Sequence, residues 1–248
     1  MAKLRHVAFM VDDSKKIFDY YHNLFGVEKV RESDTGSIHV VDGFFNLAFL
    51  QRTGGDVPMG ATHRADGTEA NQTPGINHFG FIVDKVDDVV SKLPEGLKQG
   101  ESPQNGRPAE MRVIDPWGNN FDLSSRGFLA PDVKRSIGIR HVTIHADKPD
   151  EVAEFYKSVL DLKDVGRGKD GSILLSDGDV SMALTSRRIL DRSGIQYIGI
   201  QIDDWASAEA RFEEFGFDLP LPKAGETEVE LKDPEGNLYV ISEQGWKV

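Results

Sequence analysis

The sequence predicts an α+β protein of four βαβββ modules joined in two pairs, and three observations carry that prediction. The strand-like segment 4–12, Leu-Arg-His-Val-Ala-Phe-Met-Val-Asp, returns at 139–147 as Ile-Arg-His-Val-Thr-Ile-His-Ala-Asp. The offset of 135 residues also aligns Tyr21 with Tyr156 and Val30 with Val165, so the chain is an internal repeat whose copies can be compared position by position. Within each copy a second strand pattern opens afresh, at 76–84 in the first and at Ile195 in the second. Each opening strand is followed by residues of helical period.

His6 lies in the first opening strand. A helix is predicted over Ser14–Phe25, where Ile17, Phe18, Tyr21 and Phe25 recur on one face and Gly26 ends the run. Strands are predicted at 37–41 and, past the turn Asp42-Gly43, at 44–50. The second module has its strand at 76–84, a helix at 86–93, a strand at Met111–Ile114, the turn Asp115-Pro-Trp-Gly118 and a strand at Asn120–Ser124. The second copy repeats this, with strands opening at Ile139 and Ile195, helices at Pro149–Leu160 and 205–215, and a last strand at Leu238–Ser242. Residues 53–75, rich in Gly, Thr and Asp, read as a surface loop or a lid over a site. Residues 126–138 read as a linker, giving domains at 1–127 and 137–248.

A chain of 248 residues can bury a large core, and 39% hydrophobic with 28% charged residues is ordinary for a globular protein. A net charge of −12 argues against general affinity for nucleic acid or anionic membrane, although a local basic pocket remains compatible with it. With no cysteine, disulfides, thiolate catalysis and Cys-based zinc sites are excluded. Lys3 and Arg5 are followed by Asp12 and Asp13 rather than a long apolar run, unlike a signal peptide, and no segment approaches a membrane span. A cytoplasmic protein is expected.

The βαβββ repeat, the Arg-His-Val strands with Tyr in the next helix, and the turns Asp115-Pro-Trp-Gly118 and Asp233-Pro-Glu-Gly236 resemble the vicinal oxygen chelate superfamily. That superfamily includes glyoxalase I, epimerases, antibiotic-resistance proteins and type I extradiol dioxygenases. The resemblance implies that each pair of modules forms an open barrel with a divalent metal inside, held by residues of the first and last strands. Carried over residue by residue, the first-strand ligand positions are His6, His78, His141 and Tyr197, and the last-strand positions are Asp122, Val240 and Ala48. The register is consistent, since His78 to Asp122 is 44 residues and Tyr197 to Val240 is 43. The N-terminal half thus offers His6, His78 and Asp122, a set suited to Fe(II) first and also to Mn, Ni, Co or Zn. Asp122 stands where the family more often has Glu. The C-terminal half offers only His141 and reads as a site lost after duplication.

The resemblance admits two chemistries. Ring opening of a catecholic substrate beside its diol is the first reading, because the blank at Ala48 leaves positions open for substrate and O2. Isomerase, epimerase or lyase chemistry of the glyoxalase type is the second, with a base moving a proton next to a polarised oxygen. The extradiol enzymes resemble one another in a tyrosine three residues before the Asp-Pro-x-Gly turn and a histidine before it. Here that position is Arg112, whose planar fork suits a carboxylate or an oxyanion. His39 and Glu110 are the candidate acid/base groups, and His63 with Arg64 are candidates for closing over a ligand. A non-catalytic protein that sequesters a small molecule is the third reading. The partner implied is a small-molecule substrate, with a homodimer expected only by resemblance.

Overall fold

The computed structural model describes residues 1–52, 74–95, 97, 99–101, 108–190 and 194–248, with the backbone alone at 99–101. Its first half runs β1 (Lys3–Val11), α1 (Ser14–Phe25), β2 (Glu28–Glu32), β3 (Ile38–Val41), β4 (Asn46–Gln51), β5 (Gly75–Ile82), α2 (Val86–Val90), β6 (Gln99–Glu101), β7 (Met111–Ile114) and β8 (Asn120–Ser124). The second half runs β9 (Gly138–His145), α3 (Pro149–Leu160), β10 (Lys163–Arg167), β11 (Ile173–Ser176), β12 (Ser181–Thr185), β13 (Gly194–Gln201), α4 (Trp205–Glu214), β14 (Glu228–Lys232) and β15 (Leu238–Ser242).

Each half forms one open, mixed sheet. The first has eight strands in the order β2-β3-β4-β1-β5-β8-β7-β6, and the second has seven in the order β10-β11-β12-β9-β13-β15-β14. The two opening strands of each half pair antiparallel at the centre, so a module lies on either side of them. The fourth module departs from the repeat, because no strand lies between α4 and β14. That stretch carries Pro220 and Pro222, which have no N–H to give a ladder. No helix among the described residues is long and apolar enough to cross a membrane.

The helices form where capping and periodicity agree. Asp13 caps α1 by accepting from the Lys16 N–H, and Gly26 ends it at φ 67°, a left-handed conformation that favours glycine. Its buried Ile17, Tyr20, Tyr21, Leu24 and Phe25 recur every three to four residues. Pro149 opens α3, and Val152, Phe155, Tyr156 and Val159 form its buried stripe. At roughly 1.5–3 kcal/mol per fully buried large apolar side chain, these two stripes hold the helices far more firmly than helix propensity does.

Both helices pack on the sheet of their own half and also reach the opposite half. The Tyr20 hydroxyl meets that of Tyr239 on β15 at 2.5 Å, and Tyr156 donates to Asp115, in the Asp-Pro-Trp-Gly turn, at 2.7 Å. The opening strands are cross-linked reciprocally as well. Arg5 on β1 donates to Asp177 at 2.8 Å, and Arg140 on β9 reaches Asp42 at 3.4 Å. Asp42 accepts the Ile139 N–H as Asp177 accepts the Leu4 N–H. Phe44 lies under both guanidinium groups, 3.8 Å from that of Arg5 and 5.0 Å from that of Arg140. The buried apolar residues of the two sheets form one continuous cluster.

Candidate metal centre

Strand register builds the site. His6 pairs with Asn46 on β4 and with Gly80 on β5, Gly80 pairs with Asp122 on β8, and Asp122 pairs with Arg112 on β7. Directly paired residues face the same side of a sheet, so Asn46, His6, Gly80, Asp122 and Arg112 make one row across it. The adjacent row is His39, Ala48, Ala8 and His78. Small residues in the middle of both rows leave the cavity, about 140 Å³, whose walls include Leu50, Ala109 and Phe128.

Gly80 is required by a close approach. A Cβ there would stand 2.7 Å from Cζ of Phe128 and 3.1 Å from Cβ of His6. The Phe128 ring stacks on His6, with centroids 4.8 Å apart and planes 8° from parallel. We expect Gly80→Ala to push Phe128 off His6 and to cost about 1–3 kcal/mol, as overpacking does, read as a lowered urea midpoint. A midpoint unchanged from the parent would show that Phe128 is not held there.

His6, His78 and Asp122 converge, with one donor atom from each inside a 4.8 Å span. Nε2 of His6 and Nε2 of His78 are 3.4 Å apart, and Nε2 of His78 is 3.4 Å from Oδ2 of Asp122. Two ligands about 2.1 Å from one ion stand about 3.0–3.4 Å apart, depending on the angle between them, so the two 3.4 Å separations fit a shared cation, and the His6–Asp122 separation, within 4.8 Å, has to be no more than about 4.2 Å for all three to share it.

Hydrogen bonds fix the tautomers. Asn46 donates its Nδ2 to the Val40 carbonyl, which leaves its Oδ1 facing Nδ1 of His6 at 2.7 Å. The proton of His6 is therefore on Nδ1, and Nε2 presents a lone pair to the cavity. Arg112 has only donors and contacts Nε2 of His78 at 3.0 Å, so His78 carries its proton on Nδ1, which faces Oδ1 of Asn77 at 2.8 Å. Burial, reinforced by the neighbouring His78, pushes His6 down to about 3, which keeps it neutral as a ligand must be. For Asp122 burial pulls upward, but the Arg112 guanidinium and His78 outweigh it and hold the carboxyl well below the usual range. The donor set suits a divalent metal.

The other candidates divide. Arg112 is buried at the centre, with Nε on Oδ1 of Asp122 at 2.6 Å and Nη2 on Oδ2 at 2.9 Å. His39 lines the cavity on the row of His78. Glu110 does not face the site. It precedes β7 and turns to Ser125, accepting from its N–H at 2.5 Å and its hydroxyl at 2.9 Å, because two donors in the adjoining turn satisfy it there. His63, Arg64 and residues 53–73 of the expected lid lie outside the described residues, and its last residue, Gly75, opens β5. Asn46, Asn77, Gly80 and Phe128 were not singled out from the sequence. A signal for Phe128 exists: it lies ten residues beyond Gly118, as Trp246 lies ten beyond Gly236.

In the second half, Trp246 stacks on His141 at 5.0 Å and 13°, repeating the Phe128–His6 arrangement. The supporting groups are gone. Ser181 stands at the position of Asn46, and both its hydroxyl and Nδ1 of His141 are buried without partners. Val240 stands at the position of Asp122 and Glu230 at that of Arg112.

The sequence profile of the Glyoxalase/Bleomycin resistance protein/Dioxygenase superfamily matches residues 3–123. Residues 3–123 belong to that superfamily. No curated protein matches the chain significantly. Among solved structures, the superfamily fold recurs in the 2,3-dioxygenase LapB from Pseudomonas sp. KL28, at 15% identity and TM-score 0.71, over 98% of this chain and 92% of that one. The Mn(II)-bound glyoxalase from Novosphingobium aromaticivorans is similar at 16% identity and TM-score 0.72, over 98% and 83%. Homoprotocatechuate 2,3-dioxygenase from Brevibacterium fuscum is similar at 11% identity and TM-score 0.67, over 98% and 81%. At such identities the likeness is one of fold. The ligand row stands on its own geometry.

Proposed function

We propose that the protein is a metal-dependent vicinal oxygen chelate enzyme that opens a small catecholic ring beside its diol, with one divalent metal, Fe(II) favoured, held by His6, His78 and Asp122. Residues 1–127 carry the centre and 137–248 are a second copy that has lost it. The observation that carries this reading is the convergence of two imidazoles and one carboxylate beside a blank at Ala48. When bound, the metal supplies a Lewis-acidic anchor for two neighbouring oxygens and, if iron, an electron source for O2.

The chain's own side chains do the rest. Asn46 and Asn77 keep the imidazole lone pairs aimed inward. Phe128, Leu50 and Ala109 give the cavity apolar walls, and its volume resembles that of an engineered cavity of about 150 Å³ that takes benzene. His39 is placed to take a substrate hydroxyl proton on a ring nitrogen.

A second reading, an isomerase or lyase of the glyoxalase type, is favoured by Arg112. A permanent cation at the family's tyrosine position suits an oxyanion better than it suits acid/base exchange.

Protein purified without oxygen or chelators is expected to carry about one metal per chain and, if iron, to yield coloured ring-opened product from a catechol. We expect His78→Ala to abolish both. Metal content unchanged in that variant would refute the assigned centre, and a full load of metal with no ring opening would favour the second reading.

A further inference from the structure

We infer that Arg112 is a displaceable occupant of the metal position, so that a divalent cation enters by exchange with one of its N–H groups. The inference rests on the metal-centre reading above and concerns how that centre loads. A neutral imidazole has one lone pair in its ring plane. With the proton of His78 on Nδ1, the lone pair on Nε2 is the one Arg112 Nη2 contacts at 3.0 Å. The same electrons cannot also bind a metal.

Asp122 differs. A carboxylate has about four acceptor directions. Its Oδ1 can keep the Arg112 Nε–H, 2.6 Å away, while Oδ2 turns to a metal. His6 makes no hydrogen bond to Arg112 among those described, and its Nε2 lies 3.4 Å from that of His78. Loading therefore requires Nη2 to leave both His78 and Oδ2 of Asp122, and the guanidinium end then swings about the Nε–Oδ1 bond into the cavity it lines. Before loading, the guanidinium neutralises Asp122 and keeps the ligands assembled.

The second half agrees. It has Val240 for Asp122 and Glu230 for Arg112, so the acid and its occupant are missing together.

The sign of one measurement tests this. A group that merely orients a ligand lowers metal affinity when removed, typically 10–100-fold. An occupant raises it. We expect chelator-stripped Arg112→Met to bind Zn2+ at least tenfold more tightly than the parent by calorimetric titration. The parent's rate of Zn2+ uptake should level off with concentration, since exchange limits it, while the variant's keeps rising. Should Arg112→Met fail to fold, Arg112→Gln, which keeps a polar group but no charge, serves in its place, and the levelling of the parent's rate needs no variant. Zn2+ uptake by the parent with equal or weaker binding in the variant overturns the exchange and leaves the metal centre standing. No uptake by either protein overturns both.

Discussion

Replacing Asp177 with alanine is expected to lower the stability of the folded chain by about 3–5 kcal/mol, the usual cost of removing one partner from a buried ion pair. Asp177 and Arg5 are 1% and 4% exposed at their side chains. The aspartate also accepts the N–H groups of Leu4 at 2.6 Å and of Asp179 and Val180 at 2.8 Å, so truncation strands several buried donors at once. Asp42 has the same place in the other copy, accepting from Phe44, Phe45 and Ile139. Because Phe44 lies under both arginines, the double variant should depart from additivity. Urea unfolding is the measurement. A loss below about 1 kcal/mol for Asp177→Ala would mean that Asp179, which also bonds Arg5, takes over the pair.

The second large effect is on acid stability. Burial pushes both His6 and His141 down to about 3, from an ordinary 6.5. Between those values the unfolded chain binds protons that the native chain refuses, so stability rises with pH across that window and falls on acidification. Each histidine contributes about 1.4 kcal/mol per pH unit below 6.5, so at pH 5 the metal-free protein should be about 4 kcal/mol less stable than at pH 7. Against a total of about 5–15 kcal/mol, that loss is large. Urea midpoints at the two pH values check it, and His141→Gln should remove about half of the dependence. A flat profile would show that the two imidazoles take up protons without unfolding.

The parts of the fold that were legible in the sequence are those where one local rule acts alone. Helices α1 and α3 end where the apolar stripe, the caps and the glycine or Pro-led start say they should. Strands β2 and β10 are not legible, because they are edge strands of charged residues, mostly exposed, that leave no apolar alternation to read; Arg31 of β2 turns to the cavity. The convergence of His6, His78 and Asp122 followed from the repeat combined with a resemblance. The second layer did not, since Asn46 and Asn77 act through which ring nitrogen they face, and strand period says nothing about that. Glu110 shows the limit of parity: it shares the parity of Arg112 but precedes the strand, where Ser125 turns it aside.

The exchanged contacts between the halves have a geometric meaning. Arg5 reaching Asp177 while Arg140 reaches Asp42, each 135 positions from its counterpart, is what rotation about a two-fold axis produces between identical subunits. The two halves meet as two copies of one self-complementary unit would. Each copy leans on the other through Arg140, Tyr156 and Asp177, which repeat Arg5, Tyr21 and Asp42. The cavity has no such reciprocal tie: Val240 and Glu230 differ from Asp122 and Arg112, and a change there leaves the contacts between the halves untouched.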